Sequence, residues 1–286
     1  MVSGAVRRTA TALLVATCAF GAVSCAGDGP GNVVAVGADS SPESMVLAQI
    51  YAQALARTGA ATTVVADATD PAADLDAGRI TVLPARSGAL LDRWHPAASA
   101  RTPEEVVAAV NAALPAGLSV SDPADGTDLR SRLLVTPEFA ARENIGTVAA
   151  LIPRCGDFTA GAVDLSGLEG VPAAPTDCAF ATTTRYPDLV ALRKALRDGE
   201  IQIGSVDGPL ADTAGLTVLD DPKYAVRAQN LLALYRSGRF DRVELKKLNY
   251  VAGELTTDGL LDLVAQVESG TDPATAARRW LDTHGL

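Results

Sequence analysis

The chain has only two histidines, His95 and His284, and four cysteines. None of them cluster at ligand spacing, so the sequence gives no reason to expect a metal site. There is no Gly-x-Ser-x-Gly elbow, no glycine-rich phosphate loop and no metal-binding motif. Neighbouring carboxylates such as Asp220 and Asp221 suit general acid–base work, but after a strand they read better as turn formers. An enzyme is therefore not expected, and no cofactor. Basic residues are outnumbered: 24 Lys and Arg stand against 34 Asp and Glu, for a net charge of −10. With that balance nucleic acid is not an expected partner. The sequence also lacks internal repeats and any long low-complexity linker, and it has no second hydrophobic span beyond one near its start.

That one span is informative. Arg7 and Arg8 precede an apolar run from Thr9 to Val23, too short to cross a bilayer and remain there. It ends in Ala22-Val23-Ser24-Cys25, small residues before a cysteine, the pattern of a lipobox, although leucine is more usual at the Ala22 position. Residues 1–25 are expected to be a lipoprotein signal peptide, with Cys25 lipidated. Cleavage as an ordinary signal peptide is the competing reading. Residues 26–32, rich in glycine, would form a flexible tether. The chain that remains, about 260 residues, is long enough for a large core in one domain or two. It keeps two cysteines, Cys155 and Cys178. Outside the cytoplasm such a pair reads as a disulfide, contributing roughly 3 kcal/mol in the chain-entropy model.

The remainder alternates strand-like and helical patterns, the mark of an α/β fold. Val33 to Gly37 reads as a buried strand. Ser40-Ser41-Pro42-Glu43 reads as a helix start with serine as cap and proline in the first turn. Val46, Leu47, Ile50, Tyr51 and Leu55 then recur at helical spacing up to Gly59. Further strands are expected at 63–65, 80–83, 132–135, 201–205 and 216–219, and 230–235 is another apolar run. Thr102-Pro103-Glu104-Glu105 is a capping box; Thr136-Pro137-Glu138 and Asp188 open further helices. Beyond Asp241 the chain reads as mostly helical, with caps at Thr256-Thr257-Asp258 and Thr271-Asp272-Pro273.

Four stretches, in this order, resemble the osmoprotectant-binding proteins of ABC importers, the group that includes glycine betaine, choline and carnitine binders. They are Val36 to Ser44 with Ile50-Tyr51-Ala52-Gln53; Leu83 to Leu91; Val218 to Lys223; and Glu254 to Leu260 continuing through Asp272-Pro273-Ala274, Ala277 to Leu281 and Gly285-Leu286. The resemblance implies a two-lobed periplasmic binding protein fold of type II, with the ligand cleft between the lobes. It places a first segment of lobe 1 at 33–132, lobe 2 at 133–228 and the rest of lobe 1 at 229–286. It also implies delivery of a small polar or zwitterionic solute to ABC permease and ATPase subunits, from a lipid-anchored position on the outer face of the cell membrane. A monomer is expected. A degenerate cleft serving as an envelope interaction or sensory module is the alternative.

Clefts of this kind lie at strand ends, where helix N-termini point inward. Ser40, Ser41, Glu43 and Ser44 occupy one such turn, as ligand contacts or as a plain helix cap; the resemblance favours contacts, with Ser44 where the family usually has glutamine. Where the family commonly reads Pro-Glu-Tyr-Thr-Gly-Thr, this chain reads Pro84-Ala85-Arg86-Ser87-Gly88-Ala89. The family tyrosine helps form an aromatic cage around a quaternary ammonium. Arg86 would repel that cation, and a second cage tyrosine falls near Gln229. A guanidinium instead offers a fork to a carboxylate, so Arg86 is expected to anchor an anionic or zwitterionic ligand, with Ser87 and Gly88 beside it. The competing reading is a surface arginine paired with an acid such as Asp92. Arg154 and Asp157 beside Cys155, and Ser205 and Asp207 after a strand, are further candidates, against a reading as solvent-facing turn residues. Trp94 suits either the cleft or the core. Tyr224 and Asn230 read as hinge packing, and Trp280 as core.

Overall fold

The computed structural model describes Met1, residues 33–66, 71–164, 175 and 177–286. The expected signal segment, Cys25 and the tether at 26–32 lie outside the described residues. The run Val34-Ala35-Val36-Gly37 becomes β1 (Val34–Gly37), flanked in parallel by β2 (Thr62–Val65) and β3 (Val82–Arg86). A strand paired on both edges and covered on both faces has no water-facing side, which is why it reads as continuously apolar. From β1 the chain enters α1 (Pro42–Ala56). Ser41 caps it, its hydroxyl accepting the Ser44 N–H, and Pro42 sits in the first turn, where no N–H partner is missed.

The first sheet has the order β2-β1-β3-β10-β4, in which β10 (Leu231–Arg236) runs antiparallel between β3 and β4 (Leu118–Val120). The second repeats the plan with the middle of the chain. β6 (Thr159–Asp164) lies parallel to β7 (Thr182–Arg185) and β8 (Ile203–Asp207), and β5 (Arg132–Val135) runs antiparallel between β8 and β9 (Thr217–Val218).

Each sheet is covered on both faces. Under the first, α1 packs with α8 (Arg242–Glu254), α9 (Thr257–Glu268) and α10 (Pro273–Thr283) around Leu47, Tyr51, Leu248, Leu263 and Trp280. Trp280 is thus core, and burial of each such side chain stabilises by about 1.5–3 kcal/mol. On the opposite face, α2 (Pro71–Asp76), α3 (Ser87–Trp94) and α4 (Pro103–Ala113) cover Leu232 and Leu234; Trp94 packs partly buried against this cluster. Thr102 and Glu105 form the expected reciprocal capping box of α4.

In the second sheet, α5 (Pro137–Glu143), α6 (Val148–Leu151) and the 3₁₀ turn Ile152–Asp157 cover one face. Cys155 and Cys178 are bonded within that layer, with Cα atoms 5.3 Å apart. The other face carries α7 (Leu189–Asp198), which ends at Gly199 with φ 75°, the left-handed cap position. Val33–Leu286 is one compact unit.

The chain passes from the first sheet to the second between β4 and β5 and returns between β9 and β10. The expected segment ends at 132 and 228 fall on the first residue of β5 and shortly before β10. Arg130 ties the two passages together. It donates twice to the Asp128 carboxylate at 2.8 Å, and to the carbonyl and carboxylate of Asp221 at 3.1 and 3.2 Å, and its guanidinium lies 4.2 Å from the Tyr224 ring centroid. The Asp221 carboxylate also accepts the N–H groups of Ala225 and Val226. Asp221 is therefore occupied by backbone and Arg130, and Tyr224 holds a left-handed conformation with φ 53°. Asn230, buried, donates to the Thr127 carbonyl at 2.7 Å. These residues pack the passages between the sheets.

Candidate functional site

β3 is buried along its whole length and runs directly into α3. Its last residue, Arg86, has extended backbone and a side chain only 2% exposed. Placing a cation there costs several kcal/mol unless it is paired. Two carboxylates supply that pairing. Arg86 Nη2 donates to both oxygens of Glu43, at 3.1 and 3.3 Å, from the first turn of α1. Arg86 Nη1 donates to Asp207 Oδ1 at 3.0 Å, from the end of β8 in the other sheet. Asp207 is 4% exposed and also accepts from the Ser131 hydroxyl at 3.3 Å. Gly208 follows at φ 95°; a Cβ there would lie 3.4 Å from Arg86 Nη2, so glycine lets the backbone come close to the guanidinium.

The surface reading of Arg86 is corrected by this geometry. Asp92 pairs with Arg227 instead, because the end of β3 turns the Arg86 side chain inward between the sheets. Trp94 packs partly buried against the core below α3.

The turn before α1 closes largely on itself. Asp39 accepts the Ser41 N–H at 2.7 Å, Ser44 Oγ accepts the Asp39 N–H at 3.0 Å, and Ser41 Oγ accepts the Ser44 N–H at 3.2 Å. Ser40 is exposed, so Glu43 is the residue of this turn that reaches Arg86. Ser87, Gly88 and Gln229 fasten the start of α3 to the segment before β10. Gln229 Oε1 accepts the Ala89 N–H, and Ser87 Oγ accepts the Asn230 N–H, both at 3.0 Å. A Cβ on Gly88 would come within 2.6 Å of the Ala228 carbonyl oxygen, so no side chain fits there. These three residues position Arg86.

Arg154 and Asp157 are not brought into this cluster. Arg154 pairs with Glu143 at 2.8 Å and Asp157 at 3.5 Å on the outer helical layer of the second sheet. Ser205 lies two residues before Asp207 on β8, and its buried hydroxyl has no hydrogen-bond partner among the described residues. Sequence reasoning missed Ser131, Gly208 and Asp39. The Asp-Ser-Ser run signals an Asx turn that would have indicated Asp39; Ser131 carries no signal, because only the crossing of the chain places it under Asp207.

Burial raises the Glu43 pKa, and the charges of Asp207 and Asp39 add to the rise; Arg86, by its charge and hydrogen bonds, offsets only part of it. A carboxyl with a raised folded pKa binds its proton more tightly folded than unfolded. Stability from this group is thus greatest below the ordinary value of 4.5 and falls as pH rises above it towards the folded value. Glu43→Gln is expected to remove that slope, read from urea midpoints between pH 4 and pH 8. An unchanged slope would show that Glu43 titrates normally.

The cluster therefore presents a guanidinium and two carboxylates, buried where strand ends of the two sheets meet. Among the described residues it contains no nucleophile paired with a histidine base. Such an arrangement can recognise charge of either sign. Comparison with known proteins agrees with a recognition role. Residues 32–283 match the family model described as the substrate binding domain of ABC-type glycine betaine transport systems. No curated protein matches the chain. Among solved structures, one described as a glycine betaine/carnitine/choline ABC transporter superposes with a TM-score of 0.66 at 19% identity, over 88% of this chain and 98% of that one. Apo YehZ from Escherichia coli gives 0.62 at 18% identity, over 88% and 98%. A lactococcal OpuAC complexed with glycine betaine in a closed conformation gives 0.53 at 14% identity, over 89% and 96%. Such identities establish the fold. The family match, over most of the chain, establishes membership: the chain belongs to the substrate-binding domains of ABC-type glycine betaine transport systems.

Proposed function

We propose that this chain is an extracytoplasmic solute-binding lipoprotein. It would take up a small zwitterion of the glycine betaine kind and deliver it to the permease and ATPase subunits of an ABC importer. Cys25 carries the lipid, the protein sits on the outer face of the cell membrane, and it works as a monomer. Each sheet with its helices is one lobe, and the solute enters between them. The observation that carries the reading is the Arg86 cluster, where a buried guanidinium meets one carboxylate from α1, packed on the first sheet, and one from β8 of the second. A zwitterion complements both signs: its carboxylate takes the Arg86 fork, and its cationic end faces Glu43 and Asp207. The resemblance to cage-forming relatives is weakest here, since Arg86 stands where they carry a tyrosine, so Ser205 and the cluster rather than aromatic rings would line the solute.

A thermal-shift screen of the chain from Ala26 onward tests this, with glycine betaine, choline, carnitine, ectoine, amino acids, sugars and dicarboxylates. A ligand at a hundred times its Kd adds about 2.7 kcal/mol, so zwitterions are expected to shift the melt and sugars are not. Absence of a shift with every solute would favour the second reading, an envelope interaction or sensory module. That reading draws on the same cluster, because the Arg86 fork is already occupied by the protein's own carboxylates. Lipidation has its own test: Cys25→Ser is expected to move the protein from the membrane fraction to the supernatant.

A further inference from the structure

The contact that spans the two sheets at the cluster is made by the chain alone. A binding protein that closes on its solute is biased towards the closed state by a ligand touching both halves. Here Arg86 from β3 reaches Asp207 on β8 at 3.0 Å, and both side chains are almost wholly buried. We propose that Arg86 is a built-in latch: an autoinhibitory ion pair with Asp207 that holds the two lobes together without solute and that an incoming carboxylate must displace.

Several details fit a latch better than a plain structural ion pair. Glu43 belongs to the same lobe as Arg86 and holds Nη2, so the guanidinium stays aimed across the cleft whether or not Nη1 is engaged. Arginine suits this double duty because its planar fork serves two carboxylates at once, which a lysine ammonium does less well. Ser131, on the passage between the sheets, donates to the same Asp207 oxygen, so the pair is coupled to the segment that must bend on opening. Gly208 leaves room for the guanidinium to approach. A buried ion pair is also close to break-even against hydration. Opening therefore exchanges the pair for water at modest cost, the condition for a switch rather than a weld.

The latch has a consequence for selection. A solute carboxylate can replace Asp207 on Nη1 without leaving the guanidinium unpaired. A purely cationic solute cannot, and a trimethylammonium group offers no N–H to the released Asp207. The inference rests on solute entering between the lobes, and it narrows that solute to one bearing an anionic group.

Small-angle scattering of the solute-free chain from Ala26 onward tests the latch in wild type, Arg86→Ala and Asp207→Asn. Asp207→Asn is nearly isosteric and serves as the second variant should Arg86→Ala fail to fold. The variants are expected to gain about 1 Å in radius of gyration, against about 18 Å for a compact globule of this length. Methylguanidinium at millimolar concentration, which returns the missing cation, is expected to bring Arg86→Ala back to wild-type dimensions and to leave wild type unchanged. Folded variants with wild-type dimensions would overturn the latch. If those same preparations of wild type still show a melting shift with zwitterions, the transport reading stands without it. Expanded variants with no shift from any solute would keep the latch and remove the solute.

Discussion

Arg86→Ala is expected to weaken binding of a carboxylate-bearing solute by a hundredfold or more. The variant removes the fork that receives the solute and leaves Glu43 and Asp207 facing it as two negative groups. Truncating one partner of a buried, hydrogen-bonded charge pair costs about 2–5 kcal/mol or more at an interface, and each 1.4 kcal/mol is about tenfold in affinity. Titration calorimetry with the best zwitterion from the thermal screen gives the number. The free protein is expected to lose some stability too, since a buried pair is broken, at about 2–4 °C of melting temperature per kcal/mol. The affinity loss should exceed the stability loss, because opening lets water reach the orphaned carboxylates. Asp157→Ala, on the outer helical layer, serves as the control and should move neither quantity by more than about 0.5 kcal/mol. Undiminished affinity in Arg86→Ala would remove Arg86 from the site.

Replacing Cys155 and Cys178 together with alanine is expected to destabilise the protein by about 3 kcal/mol. The bond spans 23 positions and ties the 3₁₀ turn after α6 to the segment before β7. Both cysteines belong to the buried cluster that includes Phe139, Phe158, Ile145 and Leu219, so the substitutions also thin the packing of the second sheet's helical layer. At about 2–4 °C per kcal/mol, the expected fall in melting temperature is roughly 6–12 °C. Non-reducing mass spectrometry should show one linked peptide pair before the comparison is made. A melting temperature unchanged within a degree would mean that the loop is already held by packing alone.

Much of the fold was legible because local signals agree with one another. The apolar run at β1, the serine cap and proline opening α1, the capping box of α4 and the glycine ending α7 each state a boundary in chemical terms. The alternation of strands and helices gave the α/β class, and the order of resembling stretches gave the two-sheet plan. The site was legible by address more than by bonding. Arg86, Glu43 and Asp207 could all be singled out as strand-end or helix-start residues, yet sequence spacing does not say that β3 and β8 end opposite one another. For that reason the competing surface reading of Arg86 pairs it with Asp92, close by on α3, whereas one of its partners lies 121 positions away. Arg154 and Asp157 share the polar, turn-like character of a binding loop, but the 3₁₀ turn directs them to Glu143 and the outer layer. Side-chain direction at a helix end is set by packing, which a linear pattern does not record.

The order of strands in the first sheet also bears on how the molecule can assemble. β10, the last strand in the chain, lies between β3 and β4, and among the described residues β4 pairs with no other strand. The second sheet, by contrast, is complete within one uninterrupted stretch from β5 to β9. Its contacts are closer in sequence, and nearer contacts cost less loop-closure entropy. The middle of the chain can therefore reach its native pairing first, while the earlier residues wait as an open three-stranded edge for a strand and three helices that follow only after that whole stretch. A chain cut before β10 would leave that edge open permanently, and the exposed β3 would then be the place where a second chain adds on.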